Sequence, residues 1–336
     1  QADIKTVDGF CASLLREHIH LLEPVDGRCM TPDFRVLDEA EAQLLRERAL
    51  ERTMETFYQD IENGDEEAAQ LAGTLGAGRD DRALTALVLE LHSKIQSHPY
   101  PEKWLRAAAE SWRQLPSSLA DSDYGRTVME DTVRRALFWA GQLERAVAAM
   151  EDCEPVYKAN AAQFLAAAAE LRRYEQASQE GWDAMGRVQP VLQRAGTVKN
   201  GENDEAKAAA KAVREKYKKA KEEMTAPYLV TEREHLEDLQ AAAPSMLALL
   251  RLTERFSQRY QAEKVRRNAM DFSDQEHYAV TLLCGQDDEP TDLARQVSQR
   301  YQEIMVDEYQ DTNEVQNAIF RAISRAGRNL FTVGDV

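Results

Sequence analysis

Ile304-Met305-Val306-Asp307-Glu308-Tyr309-Gln310-Asp311-Thr312-Asn313 is the stretch that decides the fold. A short apolar run ending in acids reads as a buried parallel strand whose C-terminal end carries polar residues, the place where open α/β sheets put their ligands. An apolar strand ending in Asp-Glu is the Walker B arrangement. In it Asp307 would hold Mg²⁺ through water, and Glu308 would polarise the water that attacks a γ-phosphate. The strand fixes the two carboxylates side by side on a rigid support. Without its continuation, an apolar run followed by Asp-Glu reads more readily as a strand end entering an acidic loop. The full string D-E-Y-Q-D-T-N-x-V-Q, which continues to Val315 and Gln316, favours the chemical reading.

Strand signals sit only at the ends of the chain. Leu330-Phe331-Thr332-Val333, followed by Gly334-Asp335, is predicted as a second buried parallel strand, and Asp3-Ile4-Lys5-Thr6-Val7 as a third. Helical patterns fill the middle. Asp38 with Glu41 has the form of a capping box ahead of Leu50, Met54, Phe57 and Ile61, and the stripe Leu84, Val88, Leu91, Ile95 stops at His98-Pro99-Tyr100-Pro101. Val133 and Leu137, then the Ala-rich stretch 159–174, predict two more helices. Thr231 with Glu234 opens another, Leu249, Phe256 and Tyr260 mark a long helix starting after Pro244, and Ser273 with Glu276 is expected to cap the segment Asp271 to Leu283. The picture is mainly α, with a partial α/β core interrupted by a large helical insertion at 31–265.

Composition bounds the function. The 336 residues carry a net charge of −17, which excludes a basic nucleic-acid-coating protein but not a local basic surface. One such surface is predicted. After a polar loop from Gly196 to Asp204 come Lys207, Lys211, Arg214, Lys216, Lys218, Lys219 and Lys221, and helical spacing places Lys211, Arg214 and Lys218 on one face as candidate phosphate contacts. Cys11, Cys29, Cys153 and Cys284 form no C-x-x-C pair and read as reduced thiols in a cytoplasmic protein. No apolar run is long enough to span a membrane. His18 and His20 cannot share a helix face as metal ligands, and the four Trp residues read as packing.

With these motifs in hand, the chain resembles the UvrD/Rep-like DNA helicases of superfamily one, and within them the AddA-type subunits of bacterial AddAB helicase-nucleases. Asp307 to Asn313 resembles the family's motif II and Leu330 to Asp335 the start of its motif III. Thr6-Val7-Asp8-Gly9-Phe10-Cys11 resembles motif Ib, with Asp8 where many relatives have His. Asp271-Phe272-Ser273-Asp274 with Glu276-His277 matches the D-F-x-D-x-E-H element of AddA-like proteins, and Pro101-Glu102-Lys103-Trp104-Leu105 resembles the P-x-x-W-L of their helical insertion. The resemblance implies a RecA-like (P-loop NTPase) core built from residues 1–30 and 266–336 around the insertion at 31–265.

It also implies ATP and Mg²⁺ as cofactors, with Asp307 and Asp335 at the Mg-ATP site and Glu308 and Gln310 in catalysis. Thr6, Asp8 and Phe10 would lie along single-stranded DNA, duplex DNA would be a second partner, and an AddB-like nuclease subunit would complete a heterodimer. The pattern G-x-x-x-x-G-K-[ST] does not occur: Gly73 to Gly78 continues Arg79-Asp80, and Gly196 to Gly201 continues Glu202-Asn203. In the family that loop precedes motif Ib, so the chain reads as the central part of a helicase acting in double-strand-break repair, inactive in ATP hydrolysis by itself. The rival reading is a non-catalytic helical protein-interaction module with remnant motifs. The residues encoded before Gln1 discriminate between the two.

Overall fold

The structure, a computed structural model, describes residues 3–75, 80–198, 203–285 and 289–335. In chain order its elements are α1 (Val7–His18), β1 (Arg35–Val36), α2 (Glu39–Glu62), α3 (Glu66–Thr74), α4 (Arg82–Ile95), α5 (Pro101–Arg113), α6 (Asp123–Ala148), α7 (Glu154–Glu180), α8 (Trp182–Arg187), α9 (Asp204–Thr225), α10 (Glu232–Arg266), β2 (Ala269–Met270), α11 (Phe272–Leu283), α12 (Asp292–Arg300), β3 (Ile304–Val306), α13 (Glu314–Ile323) and β4 (Leu330–Thr332). The chain is mostly helical with few strands. Among the described residues the strands form two parallel pairs, β1 with β2 and β3 with β4. None of the described helices is long and apolar enough to cross a membrane. Gly76, Gly78, Arg79 and the loop residues Lys199 to Glu202 lie outside the described residues. Two compact units emerge: Gln1–Arg113 with Ala243–Val336, and Gln114–Ala242.

In the first unit α1, α12 and α13 pack on α11 around Leu15, Val280, Leu283, Val315 and Ile319. A second cluster joins α2, α3, α4 and the later part of α10 through Phe57, Leu84, Val88 and Phe256. The strand expected at Asp3 to Val7 does not form. Thr6 is extended and its Oγ1 accepts the Gly9 N–H at 3.1 Å, so it caps α1 and Val7 opens the helix. A hydroxyl cap satisfies the segment locally, whereas a strand needs a ladder partner, and among the described residues none pairs with this segment. The two helices expected around Pro244 are one. Thr231 and Glu234 close a capping box, and α10 then runs through Pro244 to Arg266. Proline's φ suits a helix, and its missing N–H disturbs a single turn.

β3 and β4 are parallel, as predicted, but not buried on both faces. Met305 and Phe331, partners in register, are 72% and 61% exposed, while Ile304 packs on the helical core. Alternation with period two explains it: helices cover one face of the pair only.

The box heading α11 is also shifted by two residues from the expected Ser273 and Glu276. Asp271 Oδ1 accepts the Asp274 N–H, and Asp274 Oδ2 accepts the Asp271 N–H, both at 2.9 Å. Ser273 instead donates to Gln96 Oε1 at 3.2 Å. Both aspartates reach the buried Lys264 Nζ, at 3.0 Å for Asp271 and 2.7 Å for Asp274, and Tyr260 OH donates to Asp271 at 2.9 Å. Burial opposes charge on Asp271, but Lys264, the Asp274 N–H and the Tyr260 hydroxyl outweigh it and hold this carboxyl below the usual range. Asp274 lies deeper, and burial pushes it up despite the same ammonium.

In the second unit α7 packs along α6, and α8 and α9 close the core around Leu143, Phe164, Leu171, Tyr174, Trp182 and Tyr217. α9 buries Ala210, Tyr217, Ala220 and Met224 and exposes Lys211 and Lys218. Arg214 does not join them on a free face. It lies four residues after Ala210 and three before Tyr217, beside the buried stripe. Its Nε donates to Asn160 Oδ1 at 2.9 Å, its Nη1 to Gln193 O at 2.6 Å, and its guanidinium sits 5.1 Å from the Phe164 ring centroid.

Removing the ammonium leaves two buried carboxylates uncompensated. Lys264→Met should therefore cost about 3–5 kcal/mol in urea unfolding, with much of it regained when Asp271→Asn and Asp274→Asn are added. Arg214→Ala should cost about 1–3 kcal/mol by the same measurement, because Asn160 and the Gln193 carbonyl lose their donors. Lys211→Ala and Lys218→Ala should each stay within about 0.5 kcal/mol of the parent.

Candidate functional site

At the C-terminal end of β3 the chain presents Asp307 and Glu308, both exposed. Pairing continues past the strands: Val333 N donates to Val306 O at 2.9 Å and Tyr309 N to Val333 O at 2.8 Å. Asp307 Oδ1 accepts the Glu308 N–H at 3.0 Å. Glu308 has φ +51°, a left-handed conformation that costs a non-glycine residue roughly 1–2 kcal/mol. That reversal turns the chain out of the strand and into the single 3₁₀ turn Tyr309–Asp311. Strain of this kind persists only where neighbouring contacts impose it, and here the β4 pairing on both sides of the turn does so.

Gly334 lets the second strand end approach. A Cβ there would fall 2.4 Å from Gln310 Oε1, 3.0 Å from Gln310 N and 3.2 Å from Tyr309 N. With glycine in place, Asp335 N donates to Gln310 Oε1 at 3.2 Å. The fold thus gathers Asp307, Glu308, Gln310 and Asp335 at one end of the β3–β4 pair. Among the described residues neither Asp307 nor Glu308 meets a cation. Hard carboxylate oxygens open to solvent on one side suit Mg²⁺, which completes its shell with water and phosphate oxygens. Among the described residues no group of three or more His, Cys, Asp or Glu could hold a metal ion.

Behind the carboxylates, the first turn of α13 is tied down. Asn313 caps the helix by accepting the Gln316 N–H at 2.8 Å, Tyr309 OH donates to Asn317 Oδ1 at 2.9 Å, and Gln316 Nε2 donates to the buried Glu276 Oε1 at 2.6 Å. His98, its ring stacked on Trp104 with centroids 5.7 Å apart, pairs with Glu314 at 3.0 Å. His277 stands 3.0 Å from His98 O and 2.7 Å from Ser273 O. The sequence signals for Glu276, His277, Gln316 and Trp104 were visible as motif letters. Their mutual contacts were not, because they join residues far apart in the chain.

Thr6 caps α1, and Asp8 and Phe10 lie in its first turn. The Thr6 hydroxyl is used in the cap, and Phe10 is half-buried with its ring edge 6.5 Å between centroids from Tyr301. Burial pushes the Asp8 carboxyl up. No hydrogen bond or ion pair among the described residues links these three to Asp307, Glu308, Gln310 or Asp335. Lys211 and Lys218 belong to the other compact unit.

Several known proteins are similar in sequence. The chain is 28% identical to the A-type subunit of an ATP-dependent helicase/nuclease from Ruminiclostridium cellulolyticum, over all of its own length and 27% of that relative's. Identity is 30% to the corresponding subunit from Lachnoclostridium phytofermentans, and 32% to the one from Desulforudis audaxviator, covering 25% and 28% of those chains. The chain therefore spans about a quarter of the length of the relatives it matches. A family profile described as the UvrD/REP helicase N-terminal domain matches residues 1–336, and the chain belongs to that family.

Proposed function

We propose that this chain is the part of an ATP-dependent DNA helicase/nuclease subunit that supplies the Walker B carboxylates for nucleotide turnover and tracks DNA, working with an AddB-like partner in double-strand-break repair in the cytoplasm. The observation that carries the reading is the Asp307–Glu308 pair on a parallel strand end, drawn together with Gln310 and Asp335 by Gly334. In this reading residues 1–30 and 266–336 belong to a RecA-like core, and 31–265 form a helical insertion. Support for that grouping comes from α1 packing on α11, which joins the two flanking segments.

Mg-ATP would supply the phosphoryl group, and its Mg²⁺ the positive charge that the Asp307 carboxylate offsets. Asp307, whose carboxylate is oriented by the Glu308 N–H, would hold the Mg²⁺. Glu308 takes a proton from the attacking water, a task suited to an exposed carboxylate on a rigid turn. Gln310, whose Oε1 is engaged by Asp335, keeps its Nε2 for a phosphate oxygen. Thr6, Asp8 and Phe10 lie along the single strand from α1. With Arg214 engaged inside its own unit, duplex contact by α9 falls to Lys211 and Lys218.

Two experiments on the protein at its full natural length test this. Glu308→Gln should retain nucleotide binding and lower DNA-stimulated ATP turnover by about 10² or more, whereas Asp307→Ala should weaken Mg²⁺-dependent binding itself. Unchanged turnover in Glu308→Gln would remove the assignment. Lys211→Glu with Lys218→Glu should weaken duplex binding and reduce the slope of log affinity against log salt by up to about two units, one per phosphate contact. An unchanged slope would leave α9 as a solvated surface.

A further inference from the structure

Two of the stretches marked in the sequence meet on one helical turn, and a third reaches it through His98. The string beginning Asp307 supplies Gln316, with Glu314 and Asn317 beside it in the first turn of α13, the D-F-x-D-x-E-H element supplies Glu276 and His277 on α11, and the P-x-x-W-L element supplies Trp104 on α5, which stacks on His98. The carboxylate loop 307–313 is thereby held at both ends. On the strand side, Tyr309 N is bound to Val333 O. On the helix side, Tyr309 OH is bound to Asn317, and Gln316 is fixed twice, through its backbone by Asn313 and through its side chain by Glu276.

The two outer attachments of this turn differ in character. His98 and Glu314 keep 35% and 69% of their side chains exposed, so solvent and salt screen that pair. Glu276 is only 8% exposed, and Gln316 Nε2 meets its Oε1 at 2.6 Å. A buried carboxylate with a short amide contact is the stiffer anchor, because water cannot replace the bond when it breaks.

We propose that Glu276 is a positioning residue for the Asp307–Glu308 pair: through Gln316 it locks the first turn of α13 and sets the carboxylate loop against β4. This rests on the nucleotide reading of that loop for its catalytic consequence, though not for its geometry. The Gln316 amide needs an acceptor at position 276, not a charge. Glu276→Gln, whose amide oxygen can accept the same bond, should therefore behave like the parent, and Glu276→Leu should not. Replacing both partners, Glu276→Leu with Gln316→Leu, removes the bond without leaving a buried polar atom unpaired, so stability returns while positioning stays lost.

The test has two arms. In the full-length protein, DNA-stimulated ATP turnover should fall about 10- to 100-fold in kcat in both Glu276→Leu and the double Leu variant, with KM for Mg-ATP changed less than about twofold, and should be normal in Glu276→Gln. In the 336-residue chain, hydrogen exchange at the amides of Tyr309, Asp311 and Thr312 should quicken about tenfold or more in the two Leu variants, with α6 and α7 unaffected and Glu276→Gln again like the parent. Loop exchange unchanged in the Leu variants, or quickened equally throughout the first unit, would overturn the proposal. So would a kcat that recovers with stability in the double variant. If the parent itself shows no DNA-stimulated turnover, the nucleotide reading falls, and the exchange arm still decides whether Glu276 holds the loop.

Discussion

One buried ammonium fixes where α11 begins. Lys264 Nζ sits between Asp271 and Asp274, and the side chain of each of these residues accepts the other's backbone N–H as the helix cap, so the electrostatic and the capping requirements converge on one turn. A buried charge cluster of this kind contributes little net stability compared with an apolar equivalent. What it supplies is register: shift α11 by one residue and both carboxylates leave the ammonium. α1, α12 and α13 all pack on α11, so the placement of the strand-end acids is inherited from that register.

The site itself is economical in its parts. A parallel pair of three residues a side provides direction, a glycine provides closeness, and a left-handed glutamate provides the turn. The loop is held by β4 on one side and by the first turn of α13 on the other, and α11 anchors that turn through Glu276. Here a helix does what a wide sheet does elsewhere, which suits a chain with so little strand.

Local rules made much of this legible. Caps at Asp38 and Thr231, the end of α4 before His98, and the strands at 304 and 330 follow from spacing that acts within a few residues. The misreadings share a cause in longer-range competition. Asp3 to Val7 has strand composition, but Thr6 found a cap; Pro244 has the look of a helix start, but apolar burial on both sides carried α10 through it. Arg214 follows the period of the lysines yet reaches inward to Asn160, because a long side chain next to a buried stripe can turn either way. At the site, the acids and Gln310 were readable as a string. Gly334's closeness and the Glu276 anchor depend on a fold already in place.

The discontinuity of the first unit has a consequence for how the molecule assembles. Thr31 N donates to Asn268 Oδ1 at 2.9 Å across a separation of 237 residues, and β1 pairs with β2 just beside that contact. Closing so long a loop must precede any reward from it, which makes such pairings slow steps in folding. The second unit, 114–242, is continuous and dominated by neighbouring helices. On a ribosome it can complete itself first, while α1 and β1 wait for β2 and α11 to emerge, and the carboxylate loop is among the last features of the chain to find its place.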